Sequence, residues 1–330
     1  MQRSVVAALS LFSLLASPVV AQDAEGAADK GANQPPEHIE PFPNLAIGSS
    51  RKKAQASFEL SPHLQRAVPA KEMLKQQRRL NRSLDALQRE RSGTIDAYVV
   101  SVALDSDPVF AREAREAGKV LSRRYGGEGR TLVLAGPDGA RDDQAQGSIR
   151  SLLLSLARIA ELMNTEEDVL VLYTTSHGAK VGLINHYGDT EYGVLSPKRL
   201  AEVFEELGIE RRLLIISACY SGVFIPELAS TETAILTAAA AQRTSFGCEP
   251  DNDWTFYGDA MINRALRRPQ PLAEAAKDAS RKVAQWESKR RLLASLPQSS
   301  IGSDADVWLS QLEGRMPQTA TQPVGRSSAE

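Results

Sequence analysis

Two residues of this chain combine a reactive side chain with a setting that suits nucleophilic catalysis: His177 and Cys219. Residues 168–174 form an apolar run that leads into Thr175-Ser176-His177-Gly178. Residues 212–217 form another, leading into Ala218-Cys219-Tyr220-Ser221-Gly222. A thiol becomes a useful nucleophile when a neighbouring base or positive charge favours the thiolate, and an imidazole supplies that near neutral pH. The carboxyl ends of parallel strands are where reacting groups gather, so two such runs pointing the same way would bring a His and a Cys to one sheet edge. Gly178 permits a sharp exit beside the imidazole. The amides of Gly178 and Cys219 are candidates for a pocket that stabilises a tetrahedral intermediate, with Gly222 keeping the loop beyond the thiol tight. On the other side, a lone Cys after an apolar strand is usually packing, and a lone His in a turn usually has no chemistry. Strand position alone leaves both readings open.

The other candidates are weaker. His38, His63 and His186 show no recurrent ligand spacing with His177, so neither a metal site nor any other cofactor is expected. His186, in LINHYG, lies on or near a hairpin and reads as a surface or structural residue. Cys248 is the only other cysteine and reads as a buried or half-buried loop thiol. A surface thiol without a role, or a disulfide to Cys219 that would block the nucleophile, are the alternatives.

The elements that must position the pair follow a regular alternation. Strand patterns at 96–104, 131–135, 168–174, 212–217 and 233–237 are separated by helical patterns at 109–125, 148–163 and from Ser196 onward. The last of these has a Ser cap with Pro197 in the first helical position. This spacing predicts an α/β fold with a mostly parallel sheet, helices on both faces and a single main domain over 92–312. Two further helical stretches follow at 258–267 and 272–294. Ahead of the sheet, 59–91 reads as a helical extension whose helix begins at 70. Met73, Leu74, Leu80, Leu84 and Leu87 form its apolar stripe, with Arg78, Arg79, Arg82 and Arg89 on a solvated face. The segment 22–58 has no helical or strand period and reads as a flexible spacer or propeptide, and 313–330 reads as a disordered tail.

Composition sets the outer bounds. An apolar fraction of 42% supports a sizeable core, and a net charge of −2 argues against bulk attraction to nucleic acid or to anionic membrane. Two cysteines make no stapling framework. Residues 1–21 carry Arg3, an apolar run and a small-residue cleavage site after Ala21, the pattern of a secretory signal peptide. The mature protein is therefore expected in the periplasm or outside the cell, without stable membrane insertion.

Taken in order, these motifs resemble the legumain-type (C13) cysteine peptidases, relatives of caspases, gingipains and the catalytic subunit of the GPI transamidase. The resemblance rests on VLVLYTTSHG at 169–178 and LLIISACYSG at 213–222, and it extends over roughly 95–302. It implies a caspase-like sheet with His177 as general base and acid, Cys219 as nucleophile, and a peptide or protein substrate cut after Asn or Asp. The stretch LTAAAAQRTSFGCEPDNDWTFYGDAM, from Leu236, resembles the family segment after the fifth strand. By that match Ser245 and Asp259 lie near the pocket for the residue before the scissile bond. Two departures stand out. Tyr220 occupies the position where legumains carry a pocket Glu, and their substrate-binding Arg after the first strand has no clean counterpart, with Asp105 and Arg112 falling close. The resemblance thus implies the peptidase class more firmly than an Asn preference. The alternatives are a noncatalytic peptide- or protein-binding module and a transpeptidase using the same acyl-enzyme.

Overall fold

The computed structural model describes residues 35–136 and 143–327, so the signal-like segment 1–21 lies outside the described residues. The chain enters through α1 (Arg51–Glu59), β1 (His63–Gln65) and α2 (Ala70–Asp85). It then alternates β2 (Ala97–Ala103), α3 (Pro108–Tyr125), β3 (Thr131–Leu134), α4 (Ile149–Ala160) and β4 (Val169–Thr175). Three short strands follow, β5 (Gly178–Ala179), β6 (Gly182–Tyr187) and β7 (Glu191–Leu195), before α5 (Pro197–Leu207) and β8 (Arg212–Ser217). A one-turn α6 (Ile225–Leu228) leads to β9 (Thr233–Thr237). After a long loop, α7 (Phe256–Gly258) runs into a π-helical segment, Asp259–Ala265. The helices α8 (Leu272–Lys289) and α9 (Ser303–Glu313) flank β10 (Gln298–Ile301).

The main sheet has the order β10-β9-β8-β4-β2-β3. Its five inner and far-edge strands are parallel, and β10 closes the other edge antiparallel to β9. The strands form because both of their faces are covered. In β4, Val169, Val171 and Tyr173 join a core shared with α3, α8 and α9, while Leu170 and Leu172 join the opposite core with α2, α4 and α5. The same alternation holds in β8, with Leu213 and Ile215 on the first face and Leu214 and Ile216 on the second. Two dry faces explain why these strands read as continuous apolar runs. Each fully buried aliphatic side chain contributes about 2 kcal/mol, a large share of a net stability on the order of 10 kcal/mol. The α/β class, the largely parallel sheet and the helices on both faces agree with the expectation.

Local signals end the helices where the sequence says they should. Ser148 and Ser196 cap α4 and α5, their hydroxyls accepting from Ser151 N and Arg199 N at 3.0 and 3.1 Å. Gly126 and Gly208 close α3 and α5 in the left-handed conformation that glycine adopts without penalty.

Four expectations need correction. The segment read as lacking any period contains α1, a nine-residue helix with no buried residue, started by Ser50 as N-cap. The helix expected to run to 91 stops at Asp85, and within it Arg79 is buried rather than solvated, pairing with Glu72 at 3.1 Å. Met73 and Leu74, counted in the apolar stripe, are about half exposed, whereas Leu80 and Leu87 are buried. The tail expected to be disordered is docked as far as the description reaches. Trp254 Nε1 donates to Val324 O at 2.8 Å, Asn263 holds both polar groups of Val324, and Ser327 Oγ donates to Asp259 at 2.7 Å. Unpaired polar groups on the domain capture this segment despite its low apolar content.

A second, antiparallel sheet with the order β1-β7-β6-β5 was not anticipated beyond a hairpin near His186. Its strands are two to six residues long and partly polar, too short for a period to be read.

Candidate active site

β4 and β8 are neighbours in the parallel sheet, in a register that pairs Thr175 with Ser217. His177 and Cys219 each lie two residues beyond that last pair, at the carboxyl edge. The two loops touch. A Cβ on Gly178 would come within 2.1 Å of Cys219 O, so only glycine lets the His loop pass the Cys loop this closely. Gly222 serves the second loop in a similar way. Its N–H donates to Ala239 O at 2.8 Å, and a Cβ there would meet Ala241 N at 2.5 Å. Its amide is therefore engaged in packing the Cys loop against the chain after β9.

The His177 imidazole is held by groups from α3 and the loop before it. Nε2 lies 3.1 Å from Asp107 Oδ2, and the Phe110 ring meets the imidazole edge-on at 5.0 Å. The side chain keeps 39% of its surface open to solvent. Burial works against a charged ring, but the hydrogen bond to Asp107 and the neighbouring Cys248 and Asp105 outweigh it, and His177 is pushed up to about 11. Asp107 is lowered in turn: its desolvation is outweighed by the His177 hydrogen bond and the surrounding imidazoles.

Cys219 and Cys248 are both half-buried and form no disulfide. The Cys219 sulfur accepts from Ser245 N at 3.3 Å and lies 3.6 Å from both Ser245 O and Ser245 Oγ. Ser245 is thus an immediate neighbour of the thiol. Tyr220 takes a left-handed conformation, φ 57°, with its N–H donating to Arg243 O at 2.7 Å and Lys180 6.0 Å from its ring. A non-glycine residue there stores on the order of 1 kcal/mol of strain and persists because both flanking loops hold it.

The other expected residues have partners other than the thiol. Asp259 is fully buried, and its carboxylate accepts from Asn263, Arg264 and Ser327. Arg112 donates to Pro250 O and to Asn252 O, tying α3 to the loop that follows Cys248. Asp105 is buried next to His38, and desolvation raises its carboxyl to about 7. Against Asp105 lies His186, whose burial lowers it to about 4.

Sequence reading missed three residues. Asp107 was passed over for its neighbours Asp105 and Arg112, although Asp-Pro at the start of a helix is a visible signal. Cys248 is 29 positions from Cys219 in a loop without a pattern, and nothing in sequence placed it against His177. Glu113 is the third. Fully buried on α3, it accepts from Tyr173, from Thr175 Oγ1 at 2.8 Å, and from Thr255 N and Oγ1 at 2.8 and 2.9 Å. Thr255 Oγ1 lies 3.1 Å from Ser217 Oγ, so this network underpins the ends of both β4 and β8. A helical acid facing inward looks in sequence like any other surface glutamate.

This edge of the sheet lies within a segment that a family model matches. Residues 152–305, just under half of the chain, match the model of the Peptidase C13 family. The match covers β4, β8 and both of the residues that follow them, His177 and Cys219. Among solved structures, caspase-1 from Spodoptera frugiperda is similar at 14% identity and a TM-score of 0.41, over 66% of this chain and 88% of that one. No curated protein matches the sequence. Among the described residues, no helix is long and apolar enough to cross a membrane.

Proposed function

We propose that this chain is a cysteine endopeptidase in which His177 and Cys219 form the catalytic dyad. The observation that carries the reading is the pairing of β4 with β8, which sends a His loop and a Cys loop from adjacent parallel strands into backbone contact at Gly178. The C13 match over the same segment supports it.

The chemistry follows from the groups at that edge. In this reading the nucleophile is the Cys219 thiolate, and the protonated His177 imidazole is the acid that serves it. The thiolate attacks the scissile carbonyl, and the Gly178 and Cys219 amides receive the developing oxyanion. Collapse expels the amine, which takes the proton from His177 and leaves a thioester on Cys219. Water then attacks the thioester, His177 taking its proton, and the C–S bond breaks to release the carboxylic acid and regenerate the thiolate and the imidazolium. An amine in place of water would give transpeptidation. Preference for Asn or Asp is the finer part of the proposal. It rests on the resemblance of the segment from Leu236 onward and on Ser245 beside the thiol, since the Asp259 side chain is enclosed. Export to the periplasm or cell exterior is likewise proposed, from the signal-like residues 1–21.

A peptide-library cleavage profile tests the reading, with Cys219→Ala and Cys248→Ala as paired controls. The expected result is cleavage by wild type and Cys248→Ala and none by Cys219→Ala. Loss in Cys248→Ala with retention in Cys219→Ala would move the nucleophile to Cys248. Peptide binding without cleavage by the folded wild type would favour a noncatalytic binding module, a reading to which Tyr220, in place of an acidic pocket residue, gives some support.

A further inference from the structure

Three residues far apart in sequence meet behind the His177 loop. His38 comes from the segment before α1, Asp105 from the turn after β2, and His186 from β6. One ligand atom from each lies within 4.8 Å of the other two, and His38 Nε2 is 3.3 Å from Asp105 Oδ1. Asp105 and His186 are only 3% and 7% exposed, yet Asp105 Oδ2 and His186 Nε2 have no hydrogen-bond partner. Buried polar atoms are nearly always paired, and two orphans in one cluster call for a shared partner. We propose that His38, Asp105 and His186 bind a divalent transition metal of the zinc type, which clamps the N-terminal segment to the domain.

The donor set and spacing fit that class. Two imidazole nitrogens and one carboxylate oxygen suit zinc, whereas calcium and magnesium prefer oxygen ligands throughout. Bonds of about 2.0–2.2 Å in a tetrahedron put neighbouring ligand atoms roughly 3.3–3.6 Å apart, and the three ligand atoms here lie within 4.8 Å of one another, so small side-chain rotations close the site. Three protein ligands leave a fourth position for water. Binding releases to solvent any proton carried by the Asp105 carboxyl or an imidazole.

The N-terminal segment is brought here by contacts of its own. Asp189 Oδ1 accepts from Ile39 N and Glu40 N at 3.2 and 2.9 Å, and Leu45 packs against Tyr192 and Val194. The His38 and His186 rings lie 3.5 Å apart, with Tyr192 stacked on His186 at 4.9 Å. Ser106 Oγ, 2.7 Å from His38 Nε2, competes for that nitrogen, and it keeps Gly188 N as a partner when the metal takes His38. A related grouping of Asp105, Asp107 and His177 shares one member, but there Asp107 and His177 already satisfy each other.

The test uses the full chain, with mass spectrometry verifying that His38 is retained. Chelator-stripped protein is titrated with zinc by calorimetry, and cobalt absorption reports the coordination geometry. One equivalent of zinc is expected in wild type and in His63→Gln, whose imidazole faces Glu191 outside the cluster. Asp105→Asn and His38→Gln should each weaken binding tenfold or more. Zinc should also slow amide exchange over residues 35–47 in wild type but not in His38→Gln. Failure to bind one equivalent, or equal affinity in wild type and His38→Gln, overturns the proposal. His38, with 19% of its side chain exposed, decides the matter should Asp105→Asn not fold.

Discussion

Asp107 and Phe110 together fix the His177 imidazole, one through a hydrogen bond and the other through ring packing. Of these, Asp107 has the geometry of a positioning residue, holding Nε2 and supplying the negative charge that keeps the ring protonated. Misplacing a catalytic group by about 1 Å costs roughly 10²-fold in rate. Asp107→Ala is therefore expected to lower kcat by about that factor while leaving KM near its wild-type value. Asp107→Asn, which retains a hydrogen-bonding group without the charge, should fall between the two. Steady-state kinetics on a peptide substrate would check this, and a rise in KM at constant kcat would assign Asp107 to substrate binding instead.

The elements are joined beneath the site by one carboxylate. Glu113 on α3 reaches Thr175 at the end of β4 and Thr255, the N-cap of α7, and through Thr255 it reaches Ser217 at the end of β8. A Cβ on Gly258 would collide with this carboxylate at 2.1 Å, so α7 can approach only because that residue is glycine. Removing the hub strands several buried donors at once, each at about 1–3 kcal/mol. Glu113→Ala is expected to lower unfolding free energy by at least about 3 kcal/mol in urea, and Glu113→Gln by less. A change below about 1 kcal/mol for Glu113→Ala would show that the network does not support the strand ends.

At the scale of the molecule, both ends of the described chain are fastened to the α/β body. The N-terminal segment hangs on Asp189 and the cluster at His186, and the C-terminal segment on Trp254, Asn263 and Asp259. Deleting residues 319–330 would leave the Trp254 indole and part of the Asp259 carboxylate without partners inside the protein. At about 1–3 kcal/mol for each unsatisfied group, the melting temperature should fall by several degrees. Differential scanning calorimetry of the deletion against wild type measures this, and an unchanged transition would mean that the tail contributes no stability.

What could be read from sequence is what repeats locally. The parallel strands announced themselves because each is dry on both faces, so β8 and β9 match their expected spans and β2, β3 and β4 differ by one residue at one or both ends. Ser196 with Pro197 marked a helix start for a similar reason, since a cap satisfies donors only a few residues away. That His177 and Cys219 follow neighbouring strands could be expected from sequence, because strand ends are visible there. Tertiary structure decided everything that joins distant segments: Asp107 and Cys248 at His177, Ser245 at Cys219, Glu113 under both strands, and His38 beside His186. These contacts span 26 to 148 positions of chain, and no local propensity encodes them. A buried glutamate on α3 and an exposed one share the same letter, and only packing of the sheet against its helices determines which of them touches the site.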